Sequence, residues 1–87
     1  MRYAILSSCF DSFSRLADWA GRGNYEPFDD AAAAVAAVVS HSCDALLLDA
    51  PETLSEDAGQ RAAAVSYIVA YGGSVVTPDG ALGGPAA

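Results

Sequence analysis

The chain lacks the side chains that hold nucleic acid or an anionic membrane. It contains no lysine, and its four arginines against eleven carboxylates give a formal net charge of −7. Because a phosphate backbone or anionic lipid surface is held by clustered basic groups, direct binding to DNA, RNA or a membrane is not expected. The apolar runs are shorter than the roughly 18 to 20 residues of a membrane span, and residues 1–10 are too short for a signal peptide. These absences predict a cytoplasmic protein.

Cysteine and histidine are also scarce. Two cysteines and one histidine are too few for a disulfide scaffold or a familiar zinc site. In the strand layout predicted below, Cys9 and Cys43 lie at opposite ends of neighbouring strands, about 20 Å apart at about 3.3 Å per residue. That separation exceeds the reach of a disulfide. We expect free thiols, no metal site and no other cofactor.

What the chain does have is apolar sequence, 53% of its 87 residues, much of it alanine. A chain of this length closes one modest core. The composition predicts one α/β domain over residues 1–78, followed by a flexible tail over residues 79–87, where PDGALGGPAA has the small and turn-forming residues of a frayed end.

Short apolar runs alternate with helical patterns along this domain. Strands are predicted at 2–8, 24–28, around ALLL at 45–48, and at 74–77. Helices are predicted at 12–20 with Ser12 as cap, from Asp29 to about Ser42, and up to Gly72 from a Thr53/Glu56 capping box. This order predicts right-handed crossovers and a small three-layer parallel sheet of three to four strands, in the order 2-1-3-4, with helices on both faces.

The segment YEPFDDAAAAVAAVVSHSCDALLLDAPE resembles part of a response-regulator receiver domain, a flavodoxin-like fold. The resemblance implies that Asp49 stands at the phosphoacceptor position, with Pro51 near the proline that often follows it and Thr77 at the strand-four hydroxyl. The sequence departs from the family after the first strand, where Ser7, Ser8 and Cys9 replace the acids that hold the metal, and it has no lysine. A degenerate receiver-like signalling domain with Asp49 as phosphoacceptor is therefore one alternative.

A second alternative comes from Cys9 and Arg15, which fit the C-x5-R spacing of low-molecular-weight tyrosine phosphatases directly after a first strand. Such a loop needs small residues, so that backbone N–H groups converge on the phosphate. The intervening residues include Phe10, Phe13 and Asp11, which are bulky or repel phosphate. A cysteine phosphatase is the weaker of the two alternatives.

The acidic residues carry the main functional prediction. In a parallel sheet, the loops after the strands share one edge with the helix starts, and the predicted topology sorts most carboxylates to that edge. The partner-binding candidates are Asp11, Glu26, Asp29, Asp30, Asp49, Glu52, Glu56 and Asp57, with Asp79 at the same edge and Glu26 close to it. Helix capping accounts for part of this distribution. The crowding of Glu52, Glu56 and Asp57 exceeds it, because like charges repel at that spacing.

A concentrated negative field is suited to steering a basic protein surface onto it. We therefore expect a non-enzymatic protein–protein interaction module, in the form of a phage-type anti-CRISPR or anti-restriction inhibitor that mimics nucleic acid. Its expected partner is a protein with a basic surface, such as a nucleic-acid-binding complex. The chain itself is expected to be a monomer or a weak dimer.

Overall fold

The computed structural model describes residues 2–21 and 23–83 and contains one mostly parallel sheet with helices. Five strands lie in the order β2-β1-β3-β4-β5. Their bounds are β1 Tyr3–Leu6, β2 Tyr25–Phe28, β3 Ala45–Leu48, β4 Ser74–Thr77 and β5 Gly80–Gly83. The mixed α/β class and a mostly parallel sheet are thus confirmed, whereas the predicted count of three to four strands, and with it the full order, is wrong.

The central strands are those with the most continuous apolar sequence. β3 is flanked by β1 and β4, both parallel to it, and all four of its residues are buried. A strand covered on both faces loses the alternation of polar and apolar residues, as ALLL shows. The less apolar β2 pairs with β1 alone and lies at the edge, where Pro27 is exposed and its missing N–H is tolerated.

The helices begin and end close to the predicted positions, but their caps differ. Their bounds are α1 Phe10–Ala20, α2 Ala31–Val39, α3 Pro51–Leu54 and α4 Ala58–Ala70. The N-cap of α1 is Cys9, so the predicted Ser12 cap is wrong, since Ser12 already lies in the helix. The N-cap of α2 is Asp30 rather than Asp29, and its side chain makes no capping hydrogen bond.

The predicted long helix from Thr53 is two helices. Pro51 begins the short α3, and the chain turns extended at Ser55. The N-cap of α4 is Asp57, whose carboxylate accepts a hydrogen bond from Gln60 N at 3.1 Å. The Thr53/Glu56 capping box is therefore wrong, because the Thr53 hydroxyl is already donated to Asp49.

The predicted flexible tail from residue 79 is also wrong as far as Gly83. β5 turns back antiparallel to β4 through a tight turn, and Gly80 has the positive φ of 137° that glycine tolerates best. A Cβ on Gly83 would lie 2.5 Å from Val65 Cγ1 of α4, so glycine is what lets this strand approach the helix. The rest of the predicted tail, residues 84–87, lies outside the described residues.

The helices cover both faces of the sheet, as predicted, and divide the core in two. On the α1 side, Ile5 and Leu47 pack against Leu16. On the other side, the buried cluster is larger and includes residues of α2, α3 and α4. Its members are Ala4, Leu6, Ala34, Val38, Cys43, Leu46, Leu48, Leu54, Ile68 and Val75. Within the described residues, every helix falls short of the length and apolar character that crossing a bilayer requires.

Candidate functional site

The carboxyl ends of the four parallel strands bring a set of exposed carboxylates to one edge of the sheet. α1 and α2 begin there, directly after β1 and β2, and α4 begins there after the short α3. Seven carboxylates at this edge are exposed, and together we call them the acidic rim: Asp11, Asp29, Asp30, Glu52, Glu56, Asp57 and Asp79. With Asp49, eight of the eleven carboxylates of the chain share this edge, as the topology predicts for parallel strands.

Asp49 lies at the same edge but differs from the rim because it is half-buried and fully engaged. Its Oδ2 accepts hydrogen bonds from Ser8 N at 3.0 Å and from Ser8 Oγ at 2.6 Å, and its Oδ1 accepts one from the Thr53 hydroxyl. Partial burial opposes its ionisation, but the hydrogen bonds from Ser8, Thr53 and the Ala50 backbone outweigh burial and lower the pKa of Asp49 to about 2. Asp49 is therefore ionised at neutral pH and saturated with donors.

This network spans the point where the strand order reverses. β1 is flanked by β2 on one side and β3 on the other, and the loops that follow β1 and β3 diverge to opposite faces. The resulting crevice is where open α/β sheets commonly bind ligands. Here the Ser8–Asp49 hydrogen bonds join its two sides, so Asp49 fixes the loop after β1 to the loop after β3. The carboxylate that the sequence marked as partner-binding has a positioning role in this geometry.

Glu26 is not near the acidic rim, and that part of the prediction is wrong. Its carboxylate lies 3.7 Å from Arg2 Nη2 and 4.0 Å from Cys43 Sγ, at the amino-terminal end of the sheet. Asp44 lies at the same end, where its Oδ2 accepts a hydrogen bond from Arg2 N at 2.8 Å. Glu26 is the second residue of β2 and pairs with Ala4 near the start of β1, which places it at the amino-terminal end of the sheet. Arg2 thus lies at the end of the sheet opposite the acidic rim.

The geometry gives the receiver-like alternative no added support. The Thr77 hydroxyl donates to Gly80 O at 2.9 Å within the β4–β5 turn. Thr77 also shares a face of β4 with Val75, which packs in the α2/α4 cluster, whereas Asp49 lines a cleft beside α1. In the part of the chain that the structure describes, no three histidine, cysteine or acidic side chains are grouped closely enough to hold a metal.

The phosphatase alternative has no phosphate loop in this fold. α1 begins at Phe10, so the residues between Cys9 and Arg15 are helical and do not form a cradle of N–H groups. Cys9 is an exposed free thiol, and a hydrogen bond with Ser12, whose Oγ lies 3.3 Å from its Sγ, lowers its pKa. Cys43, the other free thiol, is buried, and desolvation raises its pKa. The expectation of free thiols is confirmed.

Two exposed aromatic side chains lie at opposite ends of α1, and of these Phe10 is beside the rim. Phe10 is 77% exposed beside Cys9, at the start of α1. Trp19 is 57% exposed and lines a cleft of about 330 Å³ with Arg15, Leu16 and Asp49. Helical spacing assigned Phe13, Leu16 and Ala17 to the buried side of α1 and places Trp19 off that side. Phe10 precedes Phe13 by three residues and shares its side, so its exposure could not be predicted from the spacing.

Comparisons with models of protein families, with curated proteins and with solved structures found no match to this chain.

Proposed function

We propose that the chain is a non-enzymatic, acidic protein–protein interaction module of the anti-CRISPR or anti-restriction type. In this proposal the acidic rim occupies a basic, nucleic-acid-binding surface of a target protein in the cytoplasm and blocks it. The observation that supports the proposal is the collection of seven exposed carboxylates at one edge of a chain with a net charge of −7.

The rim is free of neutralising partners within the described residues. The one ion pair among the described residues joins Arg2 to Glu26 at the opposite end of the sheet, and both side chains are about half exposed. Arg61 donates to Ser55 O at 3.1 Å rather than to a rim carboxylate. An unneutralised group of like charges produces a directional field, which accelerates encounter with a surface of opposite charge.

The hydrogen-bonded Asp49 supports the same proposal from beneath the rim. It holds the loop after β1 against the loop after β3, and these loops lead to Asp11 and Glu52 respectively. A fixed arrangement of carboxylates loses less conformational entropy on binding than one on mobile loops. The loops that carry part of the rim are thus hydrogen-bonded to each other, which suits an inhibitor that presents a constant pattern of charge.

Phe10 adds an apolar contact to this acidic surface. The side chain is 77% exposed and its neighbour Asp11 belongs to the rim. Charge steering raises the rate of association, whereas buried aromatic anchors slow dissociation and often dominate the binding free energy. We expect Phe10→Ala to raise the dissociation rate of the complex more than it lowers the association rate.

The test is capture of bound proteins from a nuclease-treated bacterial lysate, followed by association kinetics with the protein so identified. We expect a nucleic-acid-binding protein that elutes as salt is raised, and a Kd that weakens about tenfold or more between low and moderate ionic strength. Charge reversal in Asp29→Lys/Glu52→Lys should slow association.

The matched control is Asp18→Lys/Asp44→Lys, which changes the net charge equally but away from the rim. Circular dichroism should show that both double variants keep their helix content. Binding that ignores salt, or that both double variants weaken equally, would remove the rim as the interface.

A further inference from the structure

The outer surface of the α2/α4 layer is almost without charge. α2 reads AAAAVAAVV and contains no polar side chain, yet only Ala34 and Val38 are buried. In α4 the one charged residue is Arg61, which is partly buried and donates to a backbone carbonyl. Exposed on this side are Ala32, Ala33, Ala36, Ala63, Tyr67 and Tyr71. In a chain with one carboxylate for about every eight residues, from 11 in 87, a neutral surface of two helices is unusual.

An open apolar groove runs between the two helices. It has a volume of about 560 Å³, and its lining includes Val35, Val39, Leu54, Ala64 and Tyr67. None of the described residues that line it is charged. Tyr67 and Tyr71 stand beside it as an edge-to-face pair with ring centroids 5.0 Å apart, each about half exposed. This surface therefore has both a groove that can accept a side chain and exposed tyrosine side chains that can enter such a groove.

The charge distribution favours a second copy of the chain as the occupant. A basic partner is drawn to the rim, and it gains no charge contact on this neutral face. Two identical neutral faces, in contrast, meet without repulsion from the groups in the contact. Because Asp30 and Asp57 cap the starts of α2 and α4, the rim lies at one end of the layer. A two-fold axis that lies in the plane of the contact, perpendicular to the helices, turns the two rims to opposite ends of the pair and keeps the like charges apart.

The area of the α2/α4 face sets the affinity expected between two copies of the chain. α4 is about 20 Å long at about 1.5 Å per residue, and two adjacent helices are about 20 Å wide. This footprint falls at or below the roughly 800 Å² of accessible surface per partner that a standard stable interface buries. An association through a contact of this size is expected to be weak and reversible, with a dissociation constant in the micromolar range or above.

We propose that two copies of the chain associate reversibly through the α2/α4 face, each placing its Tyr67–Tyr71 pair against the groove of the other. The arrangement leaves both acidic rims exposed, and it does not depend on the function proposed for them. A dimer of this kind presents two rims pointing in opposite directions.

The test is sedimentation equilibrium of the full chain from about 1 µM to about 1 mM, with a matched pair of variants. Ala63→Glu and Ala62→Glu add the same charge at neighbouring exposed positions of α4. Ala63 lies between Gln60 and Tyr67 on the side of α4 that borders the groove, whereas Ala62 lines a separate cleft with Leu82 of β5. We expect Ala63→Glu to weaken the dimer about tenfold or more, since the contact would bury an unpaired carboxylate, and Ala62→Glu to weaken it less than about threefold.

Salt separates this association from binding at the rim. Raising the ionic strength should strengthen the dimer, because it screens the repulsion between two acidic chains, whereas it should weaken a complex with a basic target. A chain that stays monomeric to about 1 mM at high salt, or a dimer that both variants weaken equally, would overturn the proposal.

Discussion

The two faces of the sheet differ in how thoroughly they are covered. On the α2/α4 side, ten described residues form one buried cluster that extends from β1 to β4. On the α1 side, the buried cluster consists of Ile5, Leu16 and Leu47, with partly exposed side chains around it. A single helix covers that face, and beside it the cleft lined by Arg15, Trp19 and Asp49 is open to solvent. Apolar burial is thus concentrated on the α2/α4 face, whereas the α1 face has a smaller buried cluster and the hydrogen bonds of Asp49 at its carboxyl edge.

The test with the largest expected effect on stability truncates one buried aliphatic side chain on each face. Ile68→Ala should destabilise the protein by about 3–5 kcal/mol, because its cavity would be enclosed by the larger cluster. Leu16→Ala should cost about 2–3 kcal/mol, since its surroundings are partly exposed and adjoin an open cleft, which allows relaxation. Urea unfolding of both variants measures the two values. An equal or larger loss for Leu16→Ala would contradict the comparison.

A second test adds one methyl group to the well-packed face. In Gly73→Ala the new Cβ would lie 2.6 Å from Val38 Cγ1 and 2.8 Å from Ile68 Cγ2, so this variant should lose about 1–3 kcal/mol. Gly59→Ala is the control, because its Cβ would meet nothing closer than Asp57 Oδ2 at 3.7 Å and its position is helical. That substitution should stabilise the protein by about 0.5–1 kcal/mol. Thermal unfolding of both variants should therefore show shifts of opposite sign.

The smallest expected effect concerns the polar anchor on the α1 side, Asp49. Its folded-state pKa of about 2 lies below the ordinary value of roughly 3.9, so its ionised form stabilises the fold at neutral pH. After allowance for partial exposure this contribution is about 1 kcal/mol. It should be complete above about pH 5, decline as the pH falls through 4 and disappear near 2.

Urea unfolding of wild type and Asp49→Asn between pH 7 and pH 2 measures that contribution. The difference in unfolding free energy between them should shrink as the pH falls. A gap between wild type and Asp49→Asn that stays constant with pH would show that the hydrogen bonds do not depend on the charge.

The sequence was sufficient for the parallel α/β class because apolar runs such as ALLL and the helical spacing in α1 report burial directly. β5 was missed because Gly80–Gly83 has no β-branched residue and contains two glycines, so it reads as a tail. Its strand forms through close approach to α4, where a side chain at Gly83 would clash with Val65. That constraint is tertiary and leaves no local pattern.

The candidate site was predictable to a similar degree. Sorting the carboxylates to one edge needed only that β1 to β4 run parallel, and it placed the seven residues of the acidic rim correctly. Which carboxylate is engaged and which is free depends on side-chain direction, which spacing does not give. Thr53 was therefore taken for a helix cap although its hydroxyl donates to Asp49. Glu26 was placed near the rim although its carboxylate lies beside Arg2.

The position of Pro27 has a consequence for how copies of this chain avoid uncontrolled self-assembly. An exposed edge strand offers unpaired N–H and C=O groups, onto which another chain can add a strand and begin a growing aggregate. In β2 the proline removes one of the N–H donors from that edge, and the strand is only four residues long. At the opposite edge, β5 is equally short, and the register of its pairing with β4 is irregular. Neither edge is a good template for strand addition, so fibre growth through backbone pairing is disfavoured.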